Sequence, residues 1–333
     1  MQLRVLSADD VLKALPMAKA IEGMKTAFRQ FSMGQATMPL RSRIDVTEVG
    51  GVSLFMPAML HGDSGGPGTM AVKVVSVFGQ NAARGLPTVH GLVLLIEADT
   101  GKPLAMLEGA TLTAIRTGAA SGAATDLLAR KDAKTVAIFG AGVQARTQLE
   151  AVCAVRNIER AWVYSPRREY AALFVEDMLH RENIPHDLHV ASDPNQAVSS
   201  ADIICTATTS PVPVFEGNRL KPGTHINAIG SYTPDMQEVD VETIRRSLVV
   251  VDSRESVLAE AGDLLVPLRQ GWITPDHLYA ELGEIIAGIK LARTLPTDIT
   301  YFKSCGLAVQ DAVAAQMAYV EAERLDLGTM VTV

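Results

Sequence analysis

Thr135-Val-Ala-Ile-Phe139 runs into Gly140-Ala-Gly142-Val143-Gln144-Ala145, which places G-x-G-x-x-A between an apolar strand-like run and a helix-like one. Each small residue has a use if a dinucleotide binds there. Gly140 permits a tight turn, Gly142 lets the backbone approach a pyrophosphate, and Ala145 lets helix and strand pack closely. The helix N-terminus adds unpaired N–H groups and a positive dipole end. An ordinary glycine turn is the plainer alternative, and the strand–turn–helix setting argues against it. The next strand, Ala161-Trp-Val-Tyr164, ends in Ser165-Pro-Arg167-Arg168 and offers no carboxylate to a ribose 2′-hydroxyl. A carboxylate would repel a 2′-phosphate, whereas a guanidinium grips one through paired donors. NADP(H) is therefore the expected cofactor and NAD(H) the other candidate. If Arg167 and Arg168 only face solvent, that preference disappears.

Several cations stand where a small anion could be held. Lys73 interrupts the apolar run Met70-Ala-Val-Lys-Val-Val-Ser-Val77, so it either reaches out from an edge strand or points into a functional cleft. Arg116 precedes Thr117-Gly-Ala-Ala-Ser-Gly-Ala-Ala124, whose small side chains would not shield it, and its fork suits a carboxylate or a phosphate. Arg41 and Arg43 follow the first helical region and could clamp the same anion; a surface pair is the bland alternative. Two other patterns are set aside. Gly62-Asp-Ser-Gly-Gly-Pro67 spells the segment around the nucleophile of chymotrypsin-like proteases, but the only upstream histidine is the adjacent His61. It reads as a Gly-rich turn. His180, His186 and His189 follow no ligand spacing, so no metal is expected.

The elements that must position these groups fall into two blocks. With 333 residues the chain is about two domains long, and its 48% hydrophobic and 20% charged residues are a globular balance. Its net charge of −7 and lack of basic blocks argue against nucleic-acid or anionic-membrane partners. No apolar run reaches the length of about 20 residues that a membrane span needs. Three cysteines without CxxC spacing and no export signal at the N-terminus point to the cytoplasm. Residues 1–35 read as a short strand, Leu3–Leu6, then helix capped by Ser7. Strands follow at 51–56, 70–77, 91–96 and 104–107, giving an α+β block with mostly antiparallel pairing. A small-residue helix spans 110–130. Beyond it, short apolar strands at 135–139, 160–164, 203–206, 225–229 and 248–252 alternate with helix-length segments, the pattern of a doubly wound parallel sheet. The tail from Gly306 to Arg324 reads as helix and is free to return to the first block.

These stretches together resemble the ornithine cyclodeaminase/μ-crystallin family. The likeness rests on Lys73 with Gly85-Leu-Pro-Thr-Val-His-Gly91, Asp99-Thr-Gly-Lys-Pro-Leu-Ala105, and Leu112-Thr-Ala-Ile-Arg-Thr-Gly-Ala-Ala-Ser-Gly122. It continues through Gly140-Ala-Gly-Val-Gln-Ala145, Asn227-Ala-Ile-Gly-Ser231 and Phe302-Lys-Ser-Cys-Gly-Leu-Ala-Val-Gln-Asp311. The resemblance implies a homodimer with an α/β fold. Residues 1–116 and 306–333 would form a substrate-binding and dimerisation domain, and 117–305 an NAD(P)-binding Rossmann domain. It implies a substrate carboxylate held by Arg41, Lys73 and Arg116, with Lys73 catalytic. Thr88, Arg116, Thr117, Val143, Gln144, Thr206, Ile229 and Ser304 would contact the cofactor, beside Gly140, Gly142, Ser165 and Arg167. The family's cyclodeaminases carry a Glu where this chain has Leu54 and an Asp where it has Tyr232. Cyclising ornithine calls for a carboxylate to take the distal amine's proton, and tyrosine, with a pKa near 10, is a poor base at neutral pH. The Ser231-Tyr-Thr-Pro-Asp-Met-Gln-Glu238 version is more similar to the imine-reducing members. The expected activity is NAD(P)H-dependent reduction of a small cyclic imine carboxylate, Δ1-pyrroline-2-carboxylate to L-proline being the leading case. Ornithine cyclodeaminase, alanine dehydrogenase and a non-catalytic NADPH-binding protein are the rivals.

Overall fold

The computed structural model describes residues 1–62 and 68–333, so the protease-like segment from Asp63 to Pro67 lies outside the described residues. The chain divides into two compact units, Met1–Arg116 with Leu307–Val333, and Thr117–Gly306. The first stretch supplies β1 (Gln2–Leu6), α1 (Ala8–Ala14), α2 (Met17–Ser32), β2 (Ala36–Thr37), β3 (Ser42–Val46) and β4 (Gly51–Leu60). Then come β5 (Thr69–Phe78), β6 (Val89–Glu97) and β7 (Pro103–Glu108), and α3 (Gly109–Leu128) carries the chain into the second unit. That unit opens with β8 (Thr135–Phe139), α4 (Val143–Val155), β9 (Arg160–Tyr164), α5 (Arg168–Met178) and β10 (Asp187–Val190). It continues through α6 (Pro194–Ser200), β11 (Ile203–Thr206), β12 (His225–Ala228), α7 (Val241–Arg245) and β13 (Ser247–Val251). It closes with α8 (Arg254–Glu260), α9 (Gly262–Arg269), β14 (Leu278–Glu281), α10 (Leu282–Ile286) and β15 (Ile299–Lys303). The chain ends in α11 (Ala308–Leu325) and β16 (Thr329–Thr332).

In the first unit one sheet runs in the order β16-β1-β7-β6-β5-β4-β2, with β3 also paired to β4. Its strands are antiparallel except for the β1–β7 pair. Strand alternation decides which face is buried. On β5, Ala71, Lys73 and Val75 are buried while Val74 is exposed. The buried face lies under α11, which touches β4, β5 and β6 and packs against α1 and α2. Gly23 faces α11 closely, and a Cβ there would come within 2.3 Å of Met317 Sδ and displace that side chain. Ser7 caps α1 as its sequence predicts, in a capping box with Asp10.

The same unit fixes the start of α3. Glu108 accepts from the N–H groups of Ala110 and Thr111 at 2.8 and 2.7 Å, satisfying two donors that an uncapped helix leaves bare. Gly91 on β6 and Gly109 approach backbone to backbone, and a Cβ on Gly109 would sit 2.6 Å from the Gly91 carbonyl carbon. Glycine at both positions therefore sets the depth at which α3 leaves the sheet, and with it the place of Arg116 two turns later.

The second unit is one wholly parallel sheet in the order β10-β9-β8-β11-β12-β15-β13-β14. Helices cover both faces, because alternate residues of β8 enter separate cores. Val136 and Ile138 join a cluster with Leu149, Phe174 and Met178, whereas Ala137 and Phe139 join one with Val198, Ile204 and Tyr301. The doubly wound sheet of the sequence reading is what the chain forms. Its order reverses between β8 and β11, the point where such sheets bind ligands at the strands' carboxyl ends. Gly118 lets α3 lie on α4, since a Cβ there would meet the Thr147 carbonyl oxygen at 2.5 Å. Three strands, β10, β14 and β15, go beyond the sequence expectation. Among the described residues no helix is long and apolar enough to cross a membrane.

Candidate active site

Lys73 occupies the middle of the first unit's sheet, opposite Met56 on β4 and Val93 on β6. It is only 2% exposed, so the edge-strand alternative is excluded. Its ammonium lies 2.7 Å from Asp311 Oδ2 on the first turn of α11, where the helix dipole favours a carboxylate. The other oxygen of Asp311 accepts from Arg116 Nε at 3.0 Å. Arg116 Nη1 donates to Gln310 Oε1 at 3.2 Å, and the same oxygen takes the Leu307 N–H at 2.7 Å. Arg116 is thus buried, contrary to the expectation that its small-residue helix would leave it bare. The cover comes from α11, 195 residues further along.

Two cations share one carboxylate, so this buried group carries excess positive charge. Arg41, just before β3, lies near enough to add its repulsion at Lys73. Burial pulls the Lys73 pKa down to about 8; Asp311 opposes the shift, and Arg116 and Arg41 reinforce it. A lysine poised there can give up a proton near neutral pH, and the excess charge favours a small anion. Arg43 takes no part: it is more than half exposed and forms a surface pair with Asp45, Nη2 to Oδ1 at 2.6 Å. Leu54 lies on the Lys73 face of β4, one cross-strand pair away, and brings no carboxylate.

In the second unit a cavity of about 900 Å³ opens at the carboxyl ends of β8, β9 and β11. Gly140, Gly142, Ser165 and Arg167 line it, together with Ala207–Ser210 and Pro211–Val214. Gly140 has φ +107°, and a Cβ would strike the Ala207 carbonyl oxygen at 2.5 Å, so only glycine fits. Gly142 precedes α4 with open space where a Cβ would stand, leaving the backbone within reach of a ligand. Arg146, which no motif in the sequence marks, fastens this loop by donating to the Ala141 and Gly142 carbonyls at 2.7 and 3.1 Å. Arg167 stacks on Tyr170 with its guanidinium carbon 4.2 Å from the ring centroid. Arg168 begins α5 and is exposed. A glycine cradle, a bare helix N-terminus and a cavity at the switch point fit a dinucleotide.

The remaining candidates are placed unevenly. Val143 is 65% exposed at the start of α4, and Gln144 buries an Oε1 that has no partner among the described residues. Thr117 begins the second unit, its carbonyl accepting from Gln148 Nε2 at 3.4 Å. Thr88 is exposed just before β6, its carbonyl accepting the Phe78 N–H at 2.8 Å. Thr206, Ile229 and Ser304 sit at strand ends and are buried. The Thr206 hydroxyl is committed to Glu238 at 2.8 Å, and that of Ser304 to Asp252 at 2.8 Å. Tyr232 is exposed on the loop after β12.

Sequence reading missed the buried acids that hold these strand ends. Glu238 accepts from Thr206 Oγ1 and from the N–H groups of Thr208, Gly230 and Ser231. Burial, then the neighbouring Asp263, pushes its pKa up. Asp263 in turn takes Lys303 Nζ and the Tyr301 hydroxyl, each at 3.1 Å. Asp252 takes Ser304 Oγ and the Cys305 and Gly306 N–H groups. No spacing rule in the chain announces these partners.

Lys73 makes stability depend on pH in a definite direction. Its folded pKa of about 8 lies below the ordinary 10.5, so between those values the unfolded chain binds more protons. Stability then rises with pH through that window, by up to about 1.4 kcal/mol per pH unit. Denaturant titrations at pH 7.5–10.5 should show this rise in the native protein relative to Lys73→Met; parallel curves would refute the buried, depressed lysine.

The pattern described as Ornithine cyclodeaminase/mu-crystallin family matches residues 1–325. A Delta(1)-pyrroline-2-carboxylate reductase of Bacillus cereus is 40% identical over 325 residues, 97% of this chain and 98% of the relative. The structure of Thermococcus litoralis Delta(1)-pyrroline-2-carboxylate reductase in complex with NADH and L-proline superposes with a TM-score of 0.93. It is 45% identical and the match covers 98% of this chain and 99% of that one. An archaeal alanine dehydrogenase dimer with bound NAD superposes at 0.91 with 34% identity, over 100% and 99% of the two chains.

Proposed function

We propose a reaction from the premise that this chain belongs to the ornithine cyclodeaminase/mu-crystallin family. It is an oxidoreductase that reduces Δ1-pyrroline-2-carboxylate to L-proline with a reduced nicotinamide dinucleotide. The observation that carries this reading is the buried, positively charged group of Lys73, Arg116 and Asp311 in a chain that also holds a glycine-cradled dinucleotide cavity. Arg116, whose fork matches a carboxylate, fixes the ring acid, with Arg41 nearby. Holding the ring in one orientation converts a chance encounter into a positioned one. Lys73, protonated below about pH 8, gives its proton to the ring nitrogen and so makes the adjoining carbon electron-poor. Gly140, Gly142, Ser165 and Arg167 hold the dinucleotide, which when bound supplies the hydride that this carbon accepts. The balance is one hydride to carbon and one proton to nitrogen, with the cofactor oxidised.

With Δ1-pyrroline-2-carboxylate the protein should oxidise reduced cofactor, and Lys73→Met should lose at least 100-fold in kcat while still binding the cofactor. Release of ammonia from ornithine without net cofactor change would favour the cyclodeaminase reading instead.

The cofactor's phosphate is a finer point. Ser165 and Arg167 line the cavity where a carboxylate would repel a 2′-phosphate, so NADPH should be accepted at least as well as NADH. A charge-assisted hydrogen bond contributes about 1.5–3 kcal/mol. Arg167→Asp should accordingly raise the KM for NADPH at least tenfold and that for NADH far less; equal effects would remove the 2′-phosphate role.

The chain's partner is a second copy of itself. On the face of the first sheet away from α11, the rows Ile44, then Phe55–Val74–Leu92, then Val72–Leu94 form an apolar surface. Ile44, Val74 and Leu92 are 54%, 36% and 50% exposed, which is unusual for so many adjacent apolar residues. Light scattering should give twice the 35.5 kDa chain mass, and Val74→Glu with Leu92→Glu should shift it to the monomer value.

A further inference from the structure

Gln310 has a polar atom for which the fold provides no use. The side chain is fully buried. Its Oε1 accepts from the Leu307 N–H at 2.7 Å and from Arg116 Nη1 at 3.2 Å. Both partners are obligate donors, so the amide cannot be turned round and its oxygen must lie on their side. Nε2 is left on the other side, buried and without an acceptor among the described residues. Buried polar groups are nearly always paired, and an orphaned donor calls for an explanation. Asp311, the carboxylate next to it in the chain, pairs with Lys73 and Arg116 and accepts nothing from this nitrogen.

A second orphan lies one helical turn before Arg116 on α3. Thr113 stands three residues before Arg116, on the same face of α3, and its hydroxyl oxygen is buried with no partner among the described residues. Arg116 itself spends Nε on Asp311 and one Nη1 hydrogen on Gln310, so its contacts among the described residues leave Nη2 unspent. Gln310 Nε2 and Arg116 Nη2 are thus unused donors on two residues that hydrogen-bond each other within a buried group of excess positive charge. The complementary ligand is a small anion rich in acceptors, and a carboxylate offers about four lone-pair sites.

We propose that Gln310 is a substrate-binding residue, donating its side-chain N–H to the carboxylate of the ring acid that Arg116 holds. The inference rests on the reductase reading above and adds to it a residue that fixes the acid's second oxygen. Gln310 thereby has two duties: its oxygen closes the start of α11 and its nitrogen meets the ligand.

The test uses the full chain loaded with NADPH, with binding of pyrrole-2-carboxylate, a planar ring acid, read by calorimetry beside turnover of the imine. Q310M removes the donor, together with the oxygen that Leu307 and Arg116 use, without changing charge. It should weaken pyrrole-2-carboxylate and raise the imine KM at least tenfold, with kcat within threefold and NADPH affinity within twofold. Q310E keeps an oxygen for Leu307 and Arg116 and replaces the donor with an acceptor. It should weaken the acid and tighten the neutral pyrrole-2-carboxamide at least threefold. Acid affinity within twofold of the native protein in Q310M would overturn the proposal, even if Q310E weakened it through charge. Should Q310M fail to fold, an unchanged carboxamide affinity in Q310E would overturn it. Loss of imine turnover in the native protein with the ring acid still bound through Gln310 would sink the reductase reading and leave this contact standing.

Discussion

The first unit depends on one shared carboxylate. Asp311 lies between Lys73 and Arg116, and the three residues come from β5, α3 and α11. Removing two cations from water costs several kcal/mol each, which one carboxylate only partly returns. Taking that carboxylate away would leave uncompensated buried charge, a loss of about 3–5 kcal/mol. The arrangement is therefore needed for the sheet and its covering helix to stay closed, yet it is not electrically complete. That imbalance is a site's signature: the Lys73–Asp311–Arg116 group keeps a charge that an incoming anion would neutralise. Burial is the main cause of the depressed Lys73, and the repulsion of Arg116 and Arg41 adds to it.

The second unit meets a different requirement. In a parallel sheet every strand ends on the same side, so the loops that follow crowd their N–H groups together there. Those groups must find acceptors once water is gone. Glu238, Asp263 and Asp252 supply them, taking backbone and hydroxyl donors from the loops after β11, β12 and β15. The loop after β11 also walls the dinucleotide cavity. Buried acids at this sheet end thus keep a binding loop from collapsing into the space that a ligand needs, and their oxygens are too engaged to take part in chemistry.

Much of this is written locally and can be read. Ser7 caps α1, Gly140 takes a left-handed turn and Ala145 is buried against β8 because each obeys a rule spanning a few residues. Lys73 is half legible: an apolar run announces a buried strand, but only pairing with β4 and β6 shows that the lysine is central. Asp311 falls in a stretch that carries the resemblance, but its role is not legible there, since its partners Lys73 and Arg116 come from β5 and α3. Arg116 misleads because its shield arrives from the far end of the chain. The strand β15 escapes notice because Thr300 and Lys303 break its apolar run. Both polar side chains are satisfied inside the sheet, Thr300 by His225 and Lys303 by Asp263. Non-local pairing decides each of these cases, and no window of residues contains it.

The same charge arithmetic separates the reactions that this family can host. Closing a ring from an open diamino acid demands a base to strip the attacking amine. Around Lys73 the described carboxylate is Asp311, and both its oxygens are taken by cations. By the family resemblance, Leu54 and Tyr232 would stand where cyclodeaminases place acids. A preformed ring imine makes no such demand. It brings an anion to a positive group and a basic nitrogen to a lysine with a proton to give. The substrate that suits this chain is the one whose charges complete what the fold leaves unbalanced.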